Sequence, residues 1–273
     1  MQTNRNTSTC LGMIVLMACF SCPDMKAQEK PSYNWPNGKK AAVSLTFDDA
    51  RASHPTVGAD FFRPYGVKAT FYVVPSAVES RLEGWKRMVA DGHEIGSHSM
   101  LHPCTGNFDW SRDKAIENYT QASMREELVE SKRKIKELLD VEPVSFAYPC
   151  GLKYVGRGIE TESYVPVVAE LFSSGRGWMD EARNAPSFVD MAQLQGTEMD
   201  GKDFESDIKP ILDEAIENGY WIVLAGHEIG EGGSQTTKMS MLDELIKYVQ
   251  QPNSEIWIAS VDEIARYIAD QRK

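Results

Sequence analysis

The sequence predicts an α/β protein built as a single (β/α) barrel, and three observations predict it. Short apolar, β-rich runs alternate with amphipathic helical stretches from Lys39 to the carboxyl terminus. No Pro/Ser-rich linker interrupts that alternation, so one domain fits the 273 residues better than two. The residues able to carry chemistry sit where strand candidates stop, and the strand ends of a parallel barrel open on one face.

The elements follow in chain order. Residues 11–20 form a short apolar stretch after Arg5, of signal-peptide length and too short to span a bilayer, which predicts an export leader over 1–27. Leu16-Met17-Ala18-Cys19 loosely resembles a lipoprotein cleavage box, with Cys19 as lipid anchor, whereas cleavage near Ala27 releases a soluble product. Both stay open. Either one places the product outside the cytoplasm, periplasmic or extracellular. Residues 28–38 read as an extension ahead of a barrel domain at 39–273. Strands are expected at 41–47, 69–74, 93–97, 144–148, 171–174, 191–195, 221–225 and 255–258. Ser123 with Glu126 reads as a capping box opening a helix whose apolar stripe is Met124, Leu128, Ile135, Leu138 and Leu139. Ser260 with Glu263 opens the last helix in the same way, with Val261, Ile264 and Ile268 inward. Gly-His-Glu-Ile-Gly occurs at 92–96 and at 226–230, but the flanks differ and no repeat is indicated.

Charge narrows the partners. A formal net charge of −11 argues against nucleic acid, whose binding leans on clustered Lys and Arg. The short basic run at 132–136, flanked by Glu130 and Glu137, reads as a solvated helix face. A membrane enters only through the Cys19 anchor.

The chemistry concentrates in two segments. S-L-T-F-D-D at 44–49 leaves Asp48 and Asp49 at the end of an apolar run, and S-H-S-M-L-H-P at 97–103 carries His98 and His102 four residues apart. Two imidazoles and one carboxylate make the three-ligand, open-position set of a catalytic metal, and the spare carboxylate suits a base. His93-Glu94 with His98 is not a zinc-protease helix, because the spacing is one residue too long and Gly96 interrupts it. His54 has no evident partner and reads as structural. His227, taken alone, reads the same way, and Trp110 and Trp178 read as partly buried core rather than sugar platforms.

In order, T-F-D-D, G-H-E-I-G-S-H-x-x-x-H-P, F-A-Y-P-x-G and L-x-x-H resemble the motifs of the polysaccharide deacetylases with the NodB-homology domain, carbohydrate esterase family four. The resemblance covers about residues 39–267 and implies a distorted, incomplete (β/α) barrel. It implies Asp48 as base, and Asp49, His98 and His102 as ligands of one divalent ion, Zn²⁺ before Co²⁺ or Ni²⁺. His227 becomes the general acid, and the Cys150 backbone amide holds the oxyanion. The implied substrate is an acetylated polysaccharide, with N-acetylglucosamine units losing acetyl. A small-amide amidohydrolase, an acetylxylan esterase and a non-catalytic carbohydrate-binding relative are the alternatives.

The chain departs from the pattern in places. Ala147 stands where the family often has an Arg that orients the base, so Arg176, ahead of Arg183, is the expected replacement. The family's fourth motif is not evident around residues 177–180. Cys150 replaces a usual aromatic, and Cys104 lies two residues past His102. A Cys104–Cys150 disulfide across the rim is the preferred reading, with two free thiols as the alternative.

Overall fold

The computed structural model describes residues 33–273 together with Met1 and Gln2. Beyond those two residues, the leader expected over 1–27, including Cys19, lies outside the described residues. Seven parallel strands form the barrel: β1 (Ala41–Phe47), β2 (Thr70–Val73), β3 (Glu94–Ser97), β4 (Ser145–Ala147), β5 (Ser174–Arg176), β6 (Gly196–Glu198) and β7 (Trp221–Gly226). Their spatial order is β5-β4-β3-β2-β1-β7-β6. A single parallel bridge, Arg176 to Leu194, brings the two edges together: Leu194 N–H donates to Gly175 O at 2.7 Å, and Gly177 N–H to Leu194 O at 2.8 Å.

The distortion lies at β1. Its first half pairs with β8 (Ile256–Ile258), Ala41 opposite Ile256, while Thr46 and Phe47 pair with β2. All seven residues of β1 are buried, as a strand covered on both faces requires. Val43, Leu45 and Phe47 pack outward against the helical layer in the main core. The alternate set, Ser44, Thr46 and then Asp48, faces the barrel interior, since successive side chains point to opposite faces.

Among the described residues six helices of seven residues or more surround the sheet: α1 (Leu82–Ala90), α2 (Gln121–Leu139), α3 (Val165–Leu171), α4 (Lys209–Asn218), α5 (Met239–Val249) and α6 (Val261–Gln271). Helix α2 starts two residues before the expected cap. Thr120 is the cap: its Oγ1 accepts from Ser123 N–H at 3.1 Å, and Ser123 Oγ accepts from Thr120 N–H at 2.9 Å. A hydroxyl thus fills the role that the sequence suggested for Glu126. Met124, Leu128, Ile135 and Leu139 are buried as expected, but Glu127 and Ser131 share their face. Ser260 does cap α6. Arg133 links Glu130 and Glu137 on the exposed side of α2, so the basic run is a solvated face.

Two strands are displaced from their expected positions. Residues 165–171 are helical with Pro166 in the first turn, so the strand expected at 171–174 runs Ser174–Arg176. At 191–195, the Asp190 carboxylate accepts from Ala192 N–H at 3.0 Å and holds a tight turn; only Leu194 reaches the ladder, and the strand follows at Gly196. Short apolar runs carry too little periodicity to separate such cases. The extension is packed from Tyr33 onward: Trp35 is 1% exposed and donates its indole N–H to Gly219 O at 3.2 Å.

Candidate metal-dependent active site

Each candidate side chain stands at a strand end on one rim. After Phe47 the chain turns through positive φ at Asp49 (73°) and Ala50 (52°), and both carboxylates come within 4.0 Å of His98 Nε2. After β3, Ser99 (65°) and His102 (53°) are also left-handed. Such conformations cost energy in non-glycine residues and persist where neighbours over-determine them. Here Ser99 Oγ accepts from His102 N–H at 2.9 Å, and Glu127 on α2 accepts from Leu101 N–H at 2.7 Å. Glu127 is 9% exposed, and burial raises its pKa against the bonds it accepts. Its sequence signal was a carboxylate inside the apolar stripe of α2.

Asp49 Oδ1 lies 3.4 Å from His98 Nε2 and 3.3 Å from His102 Nε2. The ligand atoms of the three residues lie within 4.8 Å of one another. His98 Nδ1–H donates to Ala147 O at 2.9 Å, which leaves the Nε2 lone pair turned toward Asp49. One carboxylate oxygen and two imidazole nitrogens, that of His98 oriented by this bond, fit a divalent ion. Burial would raise the Asp49 carboxyl, but bonds to His102 and His98 outweigh it and hold the pKa well below the usual range. Burial lowers that of His102.

Asp48 is 3% exposed and accepts a hydrogen bond from Arg176 Nη2. Arg176 is completely buried, with Nη1 donating to Gly177 O at 2.6 Å. In the β4–β5 ladder Arg176 is the register partner of Ala147, so the cation missing at 147 comes from the adjacent strand. Arg183 instead faces Glu214 at 3.4 Å. Burial would raise the Asp48 pKa; the charges of Arg176, His98 and His227 prevail and lower it.

His227 follows β7. Its Nδ1 lies 2.7 Å from Asp200 Oδ2, and its Nε2 lies 3.9 Å from Asp49 Oδ2. Asp200 Oδ1 also accepts from His227 N–H at 3.1 Å and from Thr237 Oγ1 at 2.7 Å. Burial lowers the imidazole pKa, but the Asp200 hydrogen bond and the charges of Asp48 and Asp49 more than reverse this and raise it. Sequence reasoning missed Asp200. Placing the sixth strand at 191–195 hid the fact that this residue stands just past a strand end. His54 is structural: it is buried, its Nε2 lies 2.7 Å from His227 O, and burial pulls its pKa down to about 4.

Cys104 and Cys150 form a disulfide with Cα atoms 6.0 Å apart. Cys150 (φ 53°) sits in the turn Pro149–Gly151, and Gly151 (φ 69°) must remain glycine: an added Cβ would meet Trp178 N at 3.2 Å. Cys150 of the disulfide, the triad, Asp48 and His227 border one cavity of about 810 Å³. Trp110 and Trp178 both line it; Trp178 is half-buried against His227, whereas Trp110, contrary to the core reading, is 57% exposed because it rides a short 3₁₀ segment, Asp109–Lys114, outside the packed layers.

Known proteins bear on this arrangement. A family model described as polysaccharide deacetylase matches residues 36–157. A gellan lyase from a Bacillus species is 23% identical over 256 residues, 85% of this chain but 10% of the lyase. A peptidoglycan-N-acetylglucosamine deacetylase of Listeria monocytogenes is 44% identical over 62 residues, 22% of this chain and 13% of its own length. This chain thus matches only about a tenth of either relative's length. A structure from Mycobacterium smegmatis assigned to the polysaccharide deacetylases superposes with a TM-score of 0.65 at 19% identity, covering 88% of this chain and 94% of that one, which shows the shared fold. Residues 36–157, which carry the first three motifs, thus match the polysaccharide deacetylase family, on a fold shared with its solved structures.

Proposed function

We propose that this protein is a metal-dependent hydrolase that removes acetyl groups from a polysaccharide, in the first place N-acetyl groups of N-acetylglucosamine units. One observation carries the reading. The Asp49–His98–His102 cluster is flanked in a single cavity by Asp48 paired with Arg176 and by His227 paired with Asp200. The similarity to the Listeria deacetylase supports the sugar and the bond. Exposed rings around the cavity favour a polymer over a small amide, which a closed pocket would suit.

Amide hydrolysis needs a nucleophile, a stabilised oxyanion and a proton for the departing amine. A divalent ion held by Asp49, His98 and His102, Zn²⁺ by its ligand set, would polarise the carbonyl and acidify water. Asp48, kept ionised by Arg176, accepts the proton of the attacking water. His227, kept protonated by Asp200, donates to the leaving nitrogen. Arg176 positions Asp48, and Asp200 fixes the His227 tautomer with Nε2 toward the site. The Cys150 amide, on the cavity rim, is assigned to the oxyanion.

We also assign the protein to the periplasm or cell exterior. The apolar stretch at 11–20 supports this, and so does the Cys104–Cys150 disulfide, a bond that persists in oxidising compartments. The deciding experiment is acetate release from a panel of acetylated glycans, N- and O-linked, with Zn²⁺, Co²⁺ and Ni²⁺ supplied in turn. Release from N-acetylglucosamine polymers is expected. Exclusive release from O-acetyl xylan reassigns the substrate, and no release with any metal overturns the enzymatic reading.

A further inference from the structure

We propose that Phe108 and Trp110 form a rigid stacking platform for a pyranose unit of the glycan other than the one that loses its acetyl group. The inference rests on the deacetylase reading of the site. The two rings stack with centroids 5.5 Å apart and planes 19° from parallel, both line the cavity, and they are 47% and 57% exposed. Two large apolar rings left this open beside a polar centre mark a binding surface, because burial elsewhere would be more favourable.

Their position follows from a row of groups across the cavity. Trp178 packs on His227 at 4.8 Å between centroids, and His227 Nε2 lies 3.9 Å from Asp49. Asp49 lies 3.3 Å from His102, whose ring centre is 5.8 Å from that of Trp110. The departing amine belongs beside His227, so the sugar that carries it occupies the Trp178 side. Trp110 stands beside His102, away from the His227–Trp178 contact in this chain of neighbours and with Lys114 Nζ 5.6 Å from its ring centre, within reach of a neighbouring unit. A pyranose can lay its C–H face on such rings and keep its hydroxyls in water.

The platform is held before any ligand arrives. Its segment leaves the barrel at Cys104, which is bonded to Cys150. Ser111 Oγ accepts from Cys104 N–H at 3.0 Å and donates to Cys104 O at 2.9 Å. Ile116 N–H donates to the same carbonyl at 2.9 Å, Glu117 accepts from Gly106 N–H at 3.0 Å, and Lys114 Nζ donates to Leu101 O at 2.6 Å. Little freedom is left to lose on binding, which favours affinity. At position 150 itself a small sulfur-bearing residue, not a ring, faces the cavity, and its bond ties in the segment that brings two rings.

The test uses metal-loaded Asp48→Asn protein, calorimetry, and N-acetylglucosamine as tetramer and as monosaccharide. Adding Trp110→Ala should weaken tetramer binding about tenfold. Phe108→Ala should weaken it by less, and Trp110→Tyr should stay within about threefold of the parent, because a ring is retained. Phe188→Ala, at an exposed ring outside the cavity lining, should change nothing. In the Asp48 protein, Trp110→Ala should raise KM for the tetramer by the same factor with little change in kcat. Retained metal stoichiometry shows that each variant is folded. Unchanged tetramer affinity in Trp110→Ala, or no tetramer affinity in the parent, overturns the platform. Ring-dependent tetramer binding without acetate release by the wild type overturns the deacetylase reading and leaves the platform standing.

Discussion

The two flanks of the metal cluster use the same device with opposite sign. On one side a carboxylate, Asp48, is held against a buried guanidinium, and its pKa falls. On the other an imidazole, His227, is held against a carboxylate, and its pKa rises. Burial opposes both shifts, so in each case the charged neighbours win. The result is a carboxylate and an imidazole each shifted toward its charged form on either side of one cluster, the opposed tuning that the proposed base and acid would use. The flanks differ in depth. Arg176 is fully buried, whereas His227 and Asp200 stand nearer the mouth.

Removing the base tests the deeper flank most severely. Asp48→Asn should cut kcat by about 10³- to 10⁴-fold and keep the metal, because it deletes a proton acceptor and no ligand. Asp49→Asn should lose metal first, as measured by elemental analysis after dialysis. Equal metal loss in both would show that the aspartates act as one ligand set.

Arg176→Met leaves the Asp48 charge buried without its partner, a change that costs about 3–5 kcal/mol of stability. Denaturant unfolding at neutral pH reads it. The pairing of a depressed carboxylate contributes above its unfolded pKa and is lost as pH falls through the folded one, so the difference from wild type should shrink in acid. A constant difference at all pH values would mean that packing, not charge, dominates.

The disulfide should rank next. Replacing Cys104 and Cys150 together by Ala opens a crosslink between residues 46 apart, about 3–4 kcal/mol by the chain-entropy estimate. Turnover should drop more than metal affinity, since the bond fixes the rim at Cys150 and not the triad. Loss of metal in proportion to activity would contradict that division.

Asp200→Asn should have the mildest effect, roughly tenfold in kcat/KM, of the order lost when the hydrogen-bond partner that orients a site histidine is removed. The pH profile is the sharper readout. His227 acts protonated and Asp200 raises its pKa, so removing that carboxylate should move the basic limb to lower pH. An unmoved limb would assign it to another group.

Legibility followed chain distance. The metal set was readable because Asp49 is adjacent to Asp48, and His98 and His102 are four residues apart, so local spacing carries the chemistry. Arg176 could be guessed only because the resemblance left a gap at Ala147. Asp200 escaped because a one-turn error in placing β6 moved the strand end away from it. Thr120 was missed because a Ser in the third helical position completes the cap as well as a Glu does. The exposure of Trp110 was not legible, because aromatic content does not reveal which rings a loop carries to a rim.

The sequence by itself determined the barrel class and brought out Asp49, His98 and His102 with Asp48 beside them, since each is written in short-range pattern or in strand alternation. Only the tertiary structure decided which charges govern Asp48 and His227. Arg176 meets Asp48 across 128 residues of chain, and Asp200 meets His227 across 27. Neither contact leaves a periodic trace. Each arises from strand register around a closing barrel, where a shift of a single residue would turn the side chain to the other face.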